Sequence, residues 1–141
     1  MAAVERKCRD LAARLIVPLR ETAREHGYAL GVHGSLARDI DLIAVPWTVE
    51  ACSQVELAEA IRQKAEEVCG FAFINPREKS PYAESGRPGC KPHGRLAWAF
   101  HLGGGPYIDL SIMPPTGQEA SDEQLKRFIN KNESFDPARG I

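Results

Sequence analysis

Residues 31–42 read Gly-Val-His-Gly-Ser-Leu-Ala-Arg-Asp-Ile-Asp-Leu, so Asp39 and Asp41 alternate with Ile40 and Leu42 just behind a Gly-Ser turn. In an extended strand, alternate side chains share a face. This pattern therefore sends Ile40 and Leu42 into a core and holds the two carboxylates together on the other side. Carboxylates held together repel unless a cation sits between them. Such a pair suits a hard ion with oxygen ligands, of which Mg²⁺ is the usual example, and the adjacent turn at Gly34 and Ser35 suits a phosphate. The stretch points to phosphate and metal chemistry.

The rest of the chain supplies a scaffold for that pair. Cys8, Leu11, Leu15, Leu19 and Thr22 recur every three or four positions, which predicts an amphipathic helix from Val4 to about Gly27. Pro18 lies inside it and removes a backbone donor, so a kink or a break is expected there. Tyr28 to Val32 and Ile40 to Val45 read as two short strands, the second stopped by Pro46. Ser53 with Glu56 forms a capping-box pattern ahead of a second helical stripe, Val55, Ala58, Ile61, Ala65 and Val68, which ends at Gly70.

Phe71 to Ile74 reads as a brief strand, and residues 75–92 as a long loop rich in proline and polar residues. Leu96 to Leu102 and Tyr107 to Met113 are strand-like runs joined by Gly103-Gly104-Gly105-Pro106, the pattern of a hairpin. A last helix is expected from Asp122 to about Ile129, capped by Ser121, with a loosely held tail from Lys131. The order predicts an α/β (α+β) fold: one small mixed, largely antiparallel sheet backed by helices, in a single domain over 1–141.

Composition narrows the function classes. The 141 residues and 43% hydrophobic content suffice for a core without disulfides or a structural metal. Eighteen basic residues nearly balance nineteen acidic ones, and a net charge of -1 gives no whole-chain attraction to nucleic acid or anionic membrane. The N-terminus lacks the apolar run of a signal peptide, and no window has the apolar length of a membrane span, which points to a cytoplasmic protein. Cys8, Cys52, Cys69 and Cys90 show no CxxC spacing and read as reduced thiols.

Asp109 repeats the signature of the first pair, standing mid-strand between Ile108 and Leu110. A carboxylate among β-type apolar residues is costly unless it is exposed or paired. If its strand lies beside the one bearing Asp39 and Asp41, three carboxylates converge and can hold two Mg²⁺ ions. The bland reading of Asp109 is an exposed residue on a solvated face.

Gly34-Ser35, then Asp39-Ile-Asp41-Leu42, then Ile108-Asp109-Leu110 together resemble the nucleotidyltransferase superfamily related to DNA polymerase beta. The resemblance covers about residues 28–113. It implies a small mixed sheet backed by helices and a Mg²⁺-dependent site. There Gly34 and Ser35 hold nucleotide phosphates, Asp39 and Asp41 bind the metals and the triphosphate, and Asp109 helps activate an acceptor hydroxyl. Only Leu36, Ala37 and Arg38 separate Ser35 from Asp39, whereas the family usually has a helical turn and several more residues between these motifs. An abbreviated turn has fewer backbone N–H groups to offer, which passes phosphate cradling to side chains such as Arg38 or Lys91.

The activity implied is transfer of a nucleoside monophosphate from a nucleoside triphosphate to an acceptor hydroxyl on RNA, protein or a small molecule. The alternative is a catalytically inactive member of the fold that binds a nucleotide or a protein partner, as a toxin or defence partner would. A two-metal phosphohydrolase ranks third, since it has no special use for the Gly-Ser turn. Lys91, His93 and Arg95 are further candidate phosphate or acceptor contacts, against the ordinary fate of loop charges. Cys90 and His93, completed by Cys69 or His101, have the spacing of a zinc half-site but lack a second short pair. His33 could touch substrate or serve as a strand residue, and Trp47 and Trp98 could stack a base or be buried.

Overall fold

The structure, a computed structural model, describes residues 3–72 and 89–115. Helix α1 spans Ala3–Glu25, strand β1 Tyr28–His33, β2 Ile40–Pro46, helix α2 Gln54–Cys69, β3 Gly89–Cys90, β4 Leu96–His101 and β5 Tyr107–Ile112. The strands form one mixed sheet in the order β1-β2-β5-β4-β3, in which only the β2–β5 pairing is parallel. This is the expected α+β architecture.

Alternation builds the core. Ile40, Leu42 and Ala44 of β2, Ile108, Leu110 and Ile112 of β5, and Trp98 and Phe100 of β4 are buried on one face. Against them pack Cys8, Ala12, Leu15 and Leu19 of α1 and Leu57, Ala58, Ile61 and Ala65 of α2. The pairing Leu42 with Leu110 and Leu110 with Trp98 carries that apolar row from strand to strand. The opposite face bears the polar and small residues of the same strands.

Helix α1 is a single element across Pro18, so of the kink or break expected there, the break does not occur. A proline inside a helix costs on the order of 3 kcal/mol. Here Leu15 and Leu19, on either side of it, are both fully buried. Burial of two leucines contributes about 1.5–3 kcal/mol each, enough to hold both halves of the helix on one core. Helix α2 begins and ends as its sequence predicts. The Ser53 side chain accepts from the Glu56 N–H at 3.2 Å, and Gly70, left-handed at φ 80°, donates its N–H to the Glu66 carbonyl.

Other boundaries shift. Phe71 and Ala72 belong to no strand, and residues 73–74 lie outside the described residues, as do residues 75–88 of the long loop. Within the described end of that loop, Gly89–Cys90 pairs with Leu96 and Ala97 as an edge strand, and Pro92–Gly94 makes one 3₁₀ turn. Two residues are too short to register as a hydrophobic pattern. The helix expected at Asp122–Ile129 and the tail after it also lie outside the described residues. Cys8, Cys52, Cys69 and Cys90 are free thiols, as expected.

Gly27 joins α1 to β1 in the left-handed region, at φ +88°, and its carbonyl accepts the N–H groups of Trp47 and Thr48. A Cβ there would stand 2.6 Å from the Ala51 Cα and 2.7 Å from the Thr48 Oγ1. Gly27→Ala is therefore expected to lower unfolding free energy by about 2 kcal/mol or more, through a strained φ and a backbone clash. Urea denaturation of the two proteins measures it; equal midpoints would contradict the packing at this junction.

Candidate metal centre

Parallel pairing of β2 with β5 sets Asp41 directly beside Asp109. On the far side of β2, antiparallel pairing sets His33 beside Asp41, and on the far side of β5 it sets Ala99 beside Asp109. The row His33, Asp41, Asp109, Ala99 thus crosses four strands on the face away from the helices. Asp39 does not lie in the strand, as its alternation predicts, but in the bend just before it. Its carboxylate nevertheless joins the other two: one oxygen from each of Asp39, Asp41 and Asp109 lies within 4.8 Å of the others.

All three aspartates are half-buried, which makes their mutual repulsion matter. The Asp41 carboxyl is held above the usual aspartate range, first by partial burial and then by the charges of Asp39 and Asp109, while His33 pulls it down. A cation between the carboxylates removes this penalty. The donors are all carboxylate oxygens, with no ring nitrogen or thiolate among them, so the group fits a hard cation. Among the described residues this is the group of acidic, histidine or cysteine side chains able to hold a metal ion, and Cys90 with His93 forms no such group.

The Gly-Ser turn is built against the same aspartates. Gly34 adopts φ +75°, and a Cβ on it would sit 2.5 Å from the Asp41 Oδ2. Glycine is needed here because the backbone passes hard against the carboxylate. Ser35 is exposed, and its Oγ accepts the Ala37 N–H at 3.3 Å, closing a short local turn. Leu36 takes φ 58°, an uncommon value for a leucine, and it shows how tightly three residues must bend to reach Asp39. Arg38 stands exposed beside Asp39.

No family model, curated protein or solved structure matches the chain.

Lys91 is not brought to the triad. Its N–H donates to the Arg95 carbonyl at 2.9 Å, just beyond the Cys90–Leu96 pair, and Leu96 lies opposite Ile112. That is the end of β5 remote from Asp109, about 10 Å along the strand at the usual rise per residue. Arg95 starts from the same end, but its guanidinium donates to the Ser111 Oγ at 3.4 Å, one pleat from Asp109 on the same face, and His93 is exposed in the 3₁₀ turn. Trp98 is buried in the core, whereas Trp47 is exposed at the end of β2.

Two residues near the triad carry a weaker sequence signal. His101 and Tyr107 pair across β4 and β5, one pleat beyond Ala99 and Asp109, with their rings stacked at 5.5 Å. Tyr107 stands at i−2 from Asp109, so the same alternation that identifies the aspartate places it on that face. His33 is a strand residue of β1, exposed and beside Asp41.

Two outcomes follow. Because the Asp41 carboxyl is raised in the folded protein, the folded state binds more protons than the unfolded one just above the ordinary aspartate range. Metal-free stability therefore rises as pH falls into that window and is lower at neutral pH. Asp41→Asn introduces an amide donor beside Asp39 and removes one charge. It is expected to raise the metal-free melting temperature at pH 7 by about 1–3 °C, and to flatten the pH dependence. Gly34→Ala is expected to weaken divalent-cation binding roughly 10-fold or more by displacing the Asp41 carboxylate, with the fold retained. Calorimetric titration with Mg²⁺ or Mn²⁺ measures it, and unchanged affinity would contradict the close approach at this turn.

Proposed function

We propose that the chain is a Mg²⁺-dependent nucleotidyltransferase, moving a nucleoside monophosphate from a nucleoside triphosphate to an acceptor hydroxyl. One observation carries the reading: Asp41 and Asp109 stand in register on adjacent parallel strands, with Asp39 beside them and the Gly34–Ser35 turn pressed against Asp41. A generic carboxylate cluster has no use for such a turn. A phosphate-bearing substrate has, because a Gly-Ser turn can offer backbone N–H groups to an anion.

In this reading Asp39 and Asp41 hold two Mg²⁺ ions, with Asp109 completing the set. When bound, the ions neutralise the triphosphate and lower the pKa of the attacking hydroxyl. Gly34 and Ser35 contact the β- and γ-phosphates through the backbone, and Arg38, exposed at the rim, adds a cationic contact to the same group. Asp109 accepts the hydrogen bond of the acceptor hydroxyl. The acceptor oxygen then attacks the α-phosphorus as its proton passes to the Asp109 carboxylate, the bond from the α-phosphorus to the oxygen bridging to the β-phosphorus breaks, and pyrophosphate leaves. Positioning and charge neutralisation account for the rate, as in other phosphoryl transfers. The acceptor approaches over β4 and β5, where the small side chain of Ala99 lies opposite Asp109.

A second reading, a nucleotide- or protein-binding module without turnover, is favoured by one observation. The Ser35 hydroxyl is engaged with the Ala37 N–H, and no helix follows the turn to supply further N–H groups.

The two readings separate by incubation with each α-labelled nucleoside triphosphate, Mg²⁺, and cellular RNA or protein. Transfer is expected to put label into an acceptor and release pyrophosphate. Asp39→Ala with Asp41→Ala is expected to reduce incorporation by on the order of 100-fold or more. Nucleotide binding without incorporation supports the binding module. Mg²⁺-dependent nucleotide binding unchanged in the double variant would overturn the metal assignment in both.

A further inference from the structure

Three consecutive residues of α1 reach three separate backbone segments around the triad. Lys7 Nζ donates to the Gly104 carbonyl at 2.7 Å, in the turn between β4 and β5. Cys8 Sγ donates to the Asp39 carbonyl at 3.3 Å, in the bend that carries the first aspartate. Arg9 Nη2 reaches the Ser35 carbonyl at 3.5 Å, in the Gly-Ser turn, while also pairing with Glu5 at 3.2 Å. Each acceptor is a main-chain oxygen, so each contact fixes the path of a loop rather than a side chain.

We infer that Lys7, Cys8 and Arg9 form a positioning clip, with Cys8 as the positioning residue that fixes Asp39 in the metal site. The inference rests on the metal-binding reading of the triad, which it extends to the residues that hold the triad in shape. Asp39 needs such support. It lies outside the strand ladder, in a bend, whereas Asp41 and Asp109 are held by pairing on both sides.

Cys8 is suited to the task. Its side chain is fully buried, on the face of α1 that meets the sheet. Its S–H, a weak donor, is aimed at the Asp39 carbonyl at 3.3 Å. An apolar residue of the same size would pack equally well and leave the half-buried carbonyl without its partner. Lys7 and Arg9 flank it as solvent-exposed arms, which reach outward to the two neighbouring turns.

The test compares Cys8→Ala and Cys8→Ser with Leu15→Ala. Leu15 is fully buried on the same helix and makes none of these hydrogen bonds, so its variant reports lost core packing alone. Two quantities are read: Mg²⁺ affinity by calorimetric titration, and metal-free amide hydrogen exchange at residues 39–41 relative to global unfolding. Cys8→Ala is expected to weaken Mg²⁺ binding roughly 5-fold, the order of change that one lost hydrogen bond brings. It should also speed local exchange by a similar factor. Cys8→Ser, which keeps an O–H donor, is expected to recover most of both, and Leu15→Ala to lower the melting temperature with neither effect.

If Cys8→Ala behaves as Leu15→Ala does in exchange at residues 39–41, the positioning role is overturned. If wild type and the Asp39→Ala, Asp41→Ala double variant bind Mg²⁺ alike, the metal reading fails instead. The exchange comparison then decides the role of Cys8 by itself.

Discussion

The site depends on one register. Parallel pairing of β2 with β5 puts Asp41 beside Asp109, and it does so because Ile40, Leu42 and Ala44 must meet Ile108, Leu110 and Ile112 on the buried face. A slip of one residue would turn one of the two apolar sets outward, at a cost of several buried aliphatic side chains. Hydrophobic burial therefore fixes the charge arrangement, and the repulsion among the carboxylates is too weak to undo it. The molecule holds a locally unfavourable cluster in place with energy taken from the opposite side of the same strands.

This division of labour recurs in the loops. The two faces of the sheet differ in what they bury, and α1 lies entirely on the apolar side, yet its first turns reach round to the segments that frame the polar side. The helix contributes leucines to the core and hydrogen-bond donors to the rim from one continuous element. That is a physical reason for it to remain whole across Pro18, since a bend there would move Lys7, Cys8 and Arg9 relative to the sheet that Leu19 and Ala23 anchor.

Much of this was legible in the sequence, and the exceptions have identifiable causes. The stripes of α1 and α2, the Ser53 and Gly70 caps and four of the five strands follow from periodicity and punctuation. So does the alternation that places Asp41 and Asp109 away from the core. Pairing order is different: periodicity says which residues share a face but not which strands are neighbours, and only the structure sets β5 between β2 and β4. Lys91 illustrates the cost of reading nearness along the chain as nearness in space. It precedes the hairpin that carries Asp109, but antiparallel pairing sends the start of β4 to the end of β5. The α1 contacts were invisible for another reason, because their acceptors are main-chain carbonyls and every residue has one. The resemblance to nucleotidyltransferases rests on the motif residues alone.

The parallel pairing also bears on when the site comes into being. Strands β1 and β2 are neighbours in the chain and pair through a short connection, as do β4 and β5, whereas β2 meets β5 only after α2 and β4 have intervened. Local hairpins close early, and contacts of large sequence separation close late. Asp39 and Asp41 thus arrive on one unit and Asp109 on another, and the complete ligand set exists only once the two halves of the sheet have docked. A cation that needs all three carboxylates therefore selects the fully assembled molecule over any partly folded one, and its binding energy adds to the cohesion between those halves.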